Sequence, residues 1–220
     1  NDEYIQNLAK YLHYGQINGI SNVIDFDSGS DLKNVNNVVL DFSISGLSLP
    51  SQEYYKSKEF EDKRTMFKEH LTKVKSILKP FSVTLDDCFE DHVLDFETKI
   101  ADYTMKPDQS REYDKYYTNT TLDGIVENIN ELNSLPNKQN NYDESDRNYM
   151  LDDIMKEKFQ VLFTELCGHF DFKTILEHNY DKNFAHSSNS PDSKYQITAF
   201  DGDGIRRCMK LIFDENNFPQ

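Results

Sequence analysis

The chain has no tryptophan, and only three cysteines, six prolines and eight glycines among 220 residues. Cys88, Cys167 and Cys208 are too few and too far apart to staple a small secreted disulfide scaffold, so reduced thiols are the simpler reading, with one pair plus a free thiol left open. Basic residues are also scarce: 24 Lys and Arg against 39 Asp and Glu give a formal charge of −15, and the mean hydropathy is −0.75. A nucleic-acid partner is excluded on this ground, because affinity for a phosphate backbone needs a basic surface. No run approaches the roughly 18 apolar residues of a spanning helix. The start, Asn1-Asp2-Glu3, lacks the basic-then-apolar order of a signal peptide, so no membrane contact is expected from this segment and the compartment stays unassigned. With no initiating Met, the chain is expected to be a piece of a longer polypeptide. Aromatics make up 13% and hydrophobic residues 37%, enough to pack a core; a chain of this length can bury about 70% of its unfolded surface.

The hydrophobic pattern is mainly helical. Tyr4, Ile5, Leu8, Tyr11 and Leu12 predict a helix over 4–14, stopped by Gly15. Alternating segments at 22–27 and 38–44, joined by polar residues 28–37, predict a β-hairpin within 20–45. A turn-rich link, Ser45 to Pro50, follows. Phe60, Phe67, Leu71, Val74 and Leu78, at steps of 7, 4, 3 and 4, predict a helix over 57–78 that Pro80 ends. A second helix is expected from an N-cap at Thr84 to Tyr103, carrying Leu85, Phe89, Val93, Phe96 and Ile100, and two such helices in sequence suggest an antiparallel pair. Further helices are expected at 121–132, 145–166, 170–177 and from Ile205, with a short strand at 195–200 and mobile loops at 135–144 and 187–193. The fold class is therefore mainly α, an antiparallel helical domain with a small β-hairpin near the N-terminus.

Chemistry-bearing motifs are sparse. Two His at i and i+4 around a Glu would put both imidazoles on one helix face beside a zinc ion, and no such motif occurs. Cys167, His169, His178 and His186 form the densest group of potential ligands, at no common ligand spacing. Asp25, Asp27 and Asp31 fit positions 1, 3 and 7 of a calcium loop, but Ser30 stands where Gly is needed and Asn36 where the bidentate Glu belongs. Asp201-Gly-Asp203-Gly204 fails likewise at Ile212. The run Asp86, Asp87, Glu90, Asp91 and Asp95 could pair carboxylates for acid–base work but reads more simply as a solvated helix face. Asn119-Thr-Thr121 fits the N-glycosylation acceptor pattern, which has meaning only in a secretory compartment.

Several of these segments together resemble a known family. Leu12-His13, Gly19-Ile20, Asp31-Leu-Lys33-Asn34 and Gly46-Leu47-Ser-Leu49-Pro50-Ser-Gln-Glu-Tyr54-Tyr55 resemble the non-catalytic part of neprilysin-type zinc metallopeptidases. There D-x-K-N, a strand and G-L-x-L-P-x-x-x-Y-Y come in this order. The likeness continues through Arg64, His70, Glu97, Ile100-Ala101, Tyr117 and Thr120-Thr121-Leu122 to a strand and helix near Ile197 to Ile212, and is strongest over 10–125. The resemblance implies that residues 1–220 form part of one helical cap domain of a larger metallopeptidase, enclosing a substrate chamber that restricts substrates to peptides. It implies further a catalytic domain of the same polypeptide as partner, with zinc held there. The family's H-E-x-x-H and E-x-x-x-D motifs match no positions here, so no catalytic or metal residue carries over and this chain alone should be inactive. The family's tryptophans are missing too. The alternative is a catalytically inactive, peptidase-derived binding or structural module.

Overall fold

The computed structural model describes residues 2–20, 22–36, 38–105, 109–127, 129–130, 150–170 and 196–214. The expected loops at 135–144 and 187–193, the helix over 170–177 beyond its first residue, and His178 and His186 lie outside them. So do the side chains of Cys167 and His169. The described residues are mainly helical, and the chain divides into two compact units, one of residues 1–45 and 107–220, the other of 46–106.

The first unit opens with helix α1, Asp2–Ile17, whose buried stripe is Ile5, Ala9 and Leu12, the spacing of one helical face. Tyr11 is exposed. Gly15 does not stop this helix; it lies inside it, where a Cβ would come within 2.5 Å of the Asn22 side-chain amide. The stop is four residues later. Gly19 takes φ +67, Ile20 N–H donates to Gly15 O at 2.9 Å and Gly19 N–H to Gln16 O at 3.2 Å, the paired bonds of a Schellman cap.

Strands β1, Ile24–Ser30, and β2, Val38–Ile44, form the expected antiparallel hairpin, with Phe26 opposite Phe42. The first strand runs further than its hydrophobic pattern, through Ser28-Gly29-Ser30, because ladder pairing to Leu40, Val39 and Val38 continues there. Two more strands complete a sheet of order β1-β2-β4-β3: β3, Tyr117–Thr121, and β4, Gln196–Phe200, antiparallel to each other, with β4 parallel to β2. The strand β3 shares only Thr121 with the predicted helix over 121–132, and among the described residues of that range α6, Leu122–Glu127, is helical. Thr121 Oγ1 accepts from Gly124 N–H at 3.0 Å at that start, and a run of threonines before it favours the extended chain. Between the units' junction and β3 lies the short helix α5, Tyr113–Tyr116.

Helix α7, Asp153–Phe170, begins later than expected, since Asn130 takes up both the N–H and the C=O of Leu151 (2.9 and 2.8 Å) and holds that residue outside the helix. It packs against α1 and sends Phe159 and Phe163 to the sheet, where Phe163 lies 6.1 and 6.0 Å from the Phe26 and Phe42 rings, themselves stacked at 4.9 Å. The last helix, α8, Gly202–Phe213, buries Ile205, Cys208, Met209, Leu211, Ile212 and Phe213, and Tyr4 Oη donates to Ile212 O at 2.7 Å.

The second unit is a short helix α2, Gln52–Lys56, followed by α3, Glu61–Leu78, and α4, Phe89–Tyr103. Helices α3 and α4 run antiparallel, Lys68 meeting Asp91 and Lys75 meeting Glu90. The apolar positions Phe67, Leu71, Val74 and Leu78 are half-buried. The second helix starts at Phe89 rather than after Thr84: Asp86 Oδ1 accepts from Cys88 N–H at 2.7 Å, an Asx turn that competes with helix at that point. Met66, Ile77, Phe81 and Val83 are exposed.

Candidate functional site

Two buried carboxylates organise the residues that the sequence pattern singled out, one in each unit. In the first unit Asp31 directly follows β1 and is 3% exposed. Its Oδ1 accepts from the Tyr117 hydroxyl at 2.5 Å and from Lys33 N–H at 2.8 Å, and its Oδ2 from Asn119 Nδ2 at 3.0 Å. Tyr117 and Asn119 are two apart on β3 and so share a face. Asn34 N–H donates to Asp31 O at 3.1 Å, and the Lys33 ammonium lies 5.4 Å from the Tyr117 ring centre. Burial and the bond to Asp31 raise the Tyr117 phenol well above its ordinary range. The D-x-K-N segment is thus a turn locked onto β3, with Lys33 and Asn34 themselves exposed.

In the second unit Gly46, at φ 92, turns the chain so that the following residues reach Glu97 on α4. Glu97 accepts from Ser48 N–H at 3.1 Å, Ser48 Oγ at 2.7 Å and the Tyr55 hydroxyl at 2.6 Å, and Tyr55 Oη accepts from Leu49 N–H at 2.8 Å. Burial first, then the Glu97 bond, raises the Tyr55 phenol. Gln52 Nε2 donates to Ala101 O at 2.7 Å. Tyr54 stacks on Phe60 with ring centres 4.1 Å apart, and Arg64 Nη1 donates to Tyr54 O and Ser57 O at 2.8 and 2.9 Å. Leu47 and Leu49 are half-buried and Pro50 is exposed. The G-L-x-L-P-x-x-x-Y-Y stretch is therefore a clasp around one carboxylate. Glu97 carried a readable signal: it stands four residues after Val93 and three before Ile100, on the apolar stripe of α4.

A third polar group lies in α8. Arg206, 2% exposed, donates from Nη1 to Ile129 O at 2.9 Å and pairs through Nη2 with Asp203. Sequence reasoning missed it, because a buried Arg on an otherwise apolar face has no signal apart from its partners. Asp201, in the left-handed region at φ 61, caps α8 by accepting from Gly204 N–H at 3.0 Å. Burial pushes its carboxyl up to about 6.

Asp31 and Glu97 have both oxygens occupied by the protein's own donors, which suits bracing rather than proton transfer. The acidic run at the start of α4 is a surface feature: Asp91 and Glu90 pair with Lys68 and Lys75 of α3, and Asp86, just before the helix, lies 3.3 Å from His92. Asp25 and Asp27 lie within β1 instead of a calcium loop. Among the described residues no group of three or more His, Cys, Asp or Glu could hold a metal ion, and none of their helices is long and apolar enough to cross a membrane. The described residues therefore do not fit a zinc centre.

A family model described as peptidase family M13 matches residues 1–181. No curated protein sequence matches the chain. Among solved structures, the fold is similar to the Mycobacterium tuberculosis zinc metalloprotease Zmp1 in complex with an inhibitor, at TM-score 0.60 and 16% identity over 97% of this chain and 25% of that one. It is similar also to the open state of the same enzyme, at TM-score 0.59 and 15% identity over 96% and 26%. The chain thus spans about a quarter of the length of the structures it matches.

Proposed function

The chain belongs to peptidase family M13, and from that membership we propose that it is the non-catalytic cap region of a neprilysin-like zinc metalloendopeptidase, enclosing the substrate chamber and restricting substrates to peptides. The observation that carries this reading is the disparity of coverage: nearly all of this chain, but a quarter of Zmp1, is shared. A second domain of the same polypeptide is the implied partner. Zinc bound there would supply a Lewis acid and an activated water. The role of this chain's own residues is steric and supportive. Walls held by the Asp31 and Glu97 clasps keep bulky folded proteins out and exclude bulk water from the scissile bond, and their rigidity follows from carboxylates that have no better partner in water.

The test is the intact mass and zinc content of the protein from its native source, with cleavage of an unstructured peptide compared with the same segment inside a folded protein. A mass far above 25.8 kDa, about one zinc per chain and cleavage of the peptide alone are the expected results. A zinc-free protein of 25.8 kDa would establish the self-standing module instead, and equal cleavage of both substrates would remove the cap role while leaving the peptidase.

A further inference from the structure

Among the described residues, β1 is the outermost strand on its side of the sheet. Val23 O accepts from Ser45 N–H of the neighbouring chain at 3.0 Å, and in an antiparallel ladder the direction of the backbone groups alternates. Val23, Asp25 and Asp27 therefore turn theirs toward β2, and Phe26 and Ser28 turn theirs outward. At Phe26 the outward pair is occupied from α1: Gln16 Nε2 donates to Phe26 O at 2.6 Å, and Gln16 Oε1 accepts from Phe26 N–H at 3.4 Å. A side-chain amide carries the donor and the acceptor of a peptide group, so Gln16 stands where a residue of a further strand would stand. Asp25 Oδ1 also accepts from Phe26 N–H at 2.9 Å, and Asp27 Oδ1 accepts from Ser28 N–H, the next outward donor, at 2.7 Å. The last turn of α1 is held in this place by Asn22, which lies against Gly15 and whose Nδ2 donates to Leu12 O at 3.1 Å.

We propose that the outer edge of β1 is a strand-addition surface for a second copy of this chain, kept closed by the Gln16 amide, which occupies the place of the incoming strand. The outermost strand of a sheet is a template for another chain, and residues 27–30 of β1 are exposed, so an extended segment can reach them. A second β1 fits because two like edges pair antiparallel about a two-fold axis, each presenting the donors and acceptors that the other needs. The backbone of Phe26 supplies the drive: the residue is buried, and losing Gln16 takes from its carbonyl a donor that water replaces poorly. The incoming strand restores that bond. Asp25 and Asp27 of the two copies come near one another in such a pair, and their repulsion keeps it reversible. Gln16 thus holds the chain single by answering the edge from within.

The test is the mass of the full chain by analytical ultracentrifugation over a dilution series, for the parent, Gln16→Ala and Gln16→Met. Methionine has nearly the reach and the helix propensity of glutamine, so it removes the amide while leaving α1 intact. The parent is expected at its single-chain mass throughout, and both variants are expected to rise to twice that mass as concentration increases. Adding Ser28→Pro, which deletes an outward N–H and spares the ladder to β2, should return the variants to the single-chain mass. Variants that stay single at every concentration, a parent that is already paired, or a pair indifferent to Ser28→Pro would each overturn the proposal. So would growth past twice the chain mass, since an edge that meets its own copy closes at two.

Discussion

Asp31 and Glu97 are each buried with both oxygens occupied, so removing a donor leaves an acceptor that water cannot reach. Tyr117→Phe and Tyr55→Phe are expected to cost about 1–3 kcal/mol each, read as lowered urea midpoints with unchanged slope. Tyr55→Phe should sit at the upper end, because its hydroxyl also receives Leu49 N–H; a loss below that of an exposed Tyr14→Phe control would refute the clasp. Of the ten candidate residues marked from sequence, Asp31, Lys33, Asn34 and Asn119 converge on the first clasp, and Gly46, Leu47, Leu49, Pro50, Tyr54 and Tyr55 lie in the segment that forms or flanks the second. Glu97, the centre of the second, stood in the family likeness without a role, since a pattern shows position on a face and not who donates there.

Helix ends tell where local signals suffice. Gly15 and Gly19 both look like stop signals, yet only the second takes a left-handed φ. Gly19→Ala meets no neighbour and is expected to cost about 1–2 kcal/mol through backbone strain alone. Gly15→Ala should be destabilising too, although alanine favours a helix interior by about 1 kcal/mol, because its Cβ would strike the buried Asn22 amide; pairing it with Asn22→Ala should recover part of the loss, and an additive double mutant would argue against the contact. At α8 the Asp201 carboxyl titrates near 6 in the fold against 3.8 in the unfolded chain. The folded state therefore binds the extra proton between these values, and stability rises as the pH falls from about 7 through 6 toward 4, by roughly 2 kcal/mol. Asp201→Asn, which keeps a good capping oxygen and tolerates the left-handed region, should be more stable than the parent at pH 7 and flatten that dependence. Unchanged pH profiles would place the titrating group elsewhere. The start of α4 at Phe89 was misplaced and the strand β3 went unassigned for one reason: an Asx turn and a ladder partner decide them, and neither is visible as periodicity.

At the scale of the molecule, residues 46–106 form a unit of their own whose buried positions, among the described residues, are Tyr55, Glu97, Ile100 and Ala101. So small a core rarely supplies more than about 3–5 kcal/mol. Expressed alone, this segment is expected to be helical by circular dichroism and to unfold in urea with a stability of no more than about 3–5 kcal/mol; a clearly larger value would refute the small-core account. The hairpin and the helical class were readable because hydrophobic alternation is local. The four-stranded sheet was not, because its middle pair joins Leu40 to Ile197.

That parallel pairing sets a timetable for biosynthesis. Strand β2 leaves the ribosome early with one edge unsatisfied, and its neighbour β4 follows much later, so at about 5–20 residues per second the hairpin waits about 8–30 seconds for its partner. The helical unit of residues 46–106, built from neighbours in sequence, can close within that interval. During the same wait, the exposed edge of β2 is the part of the nascent chain most in need of a chaperone.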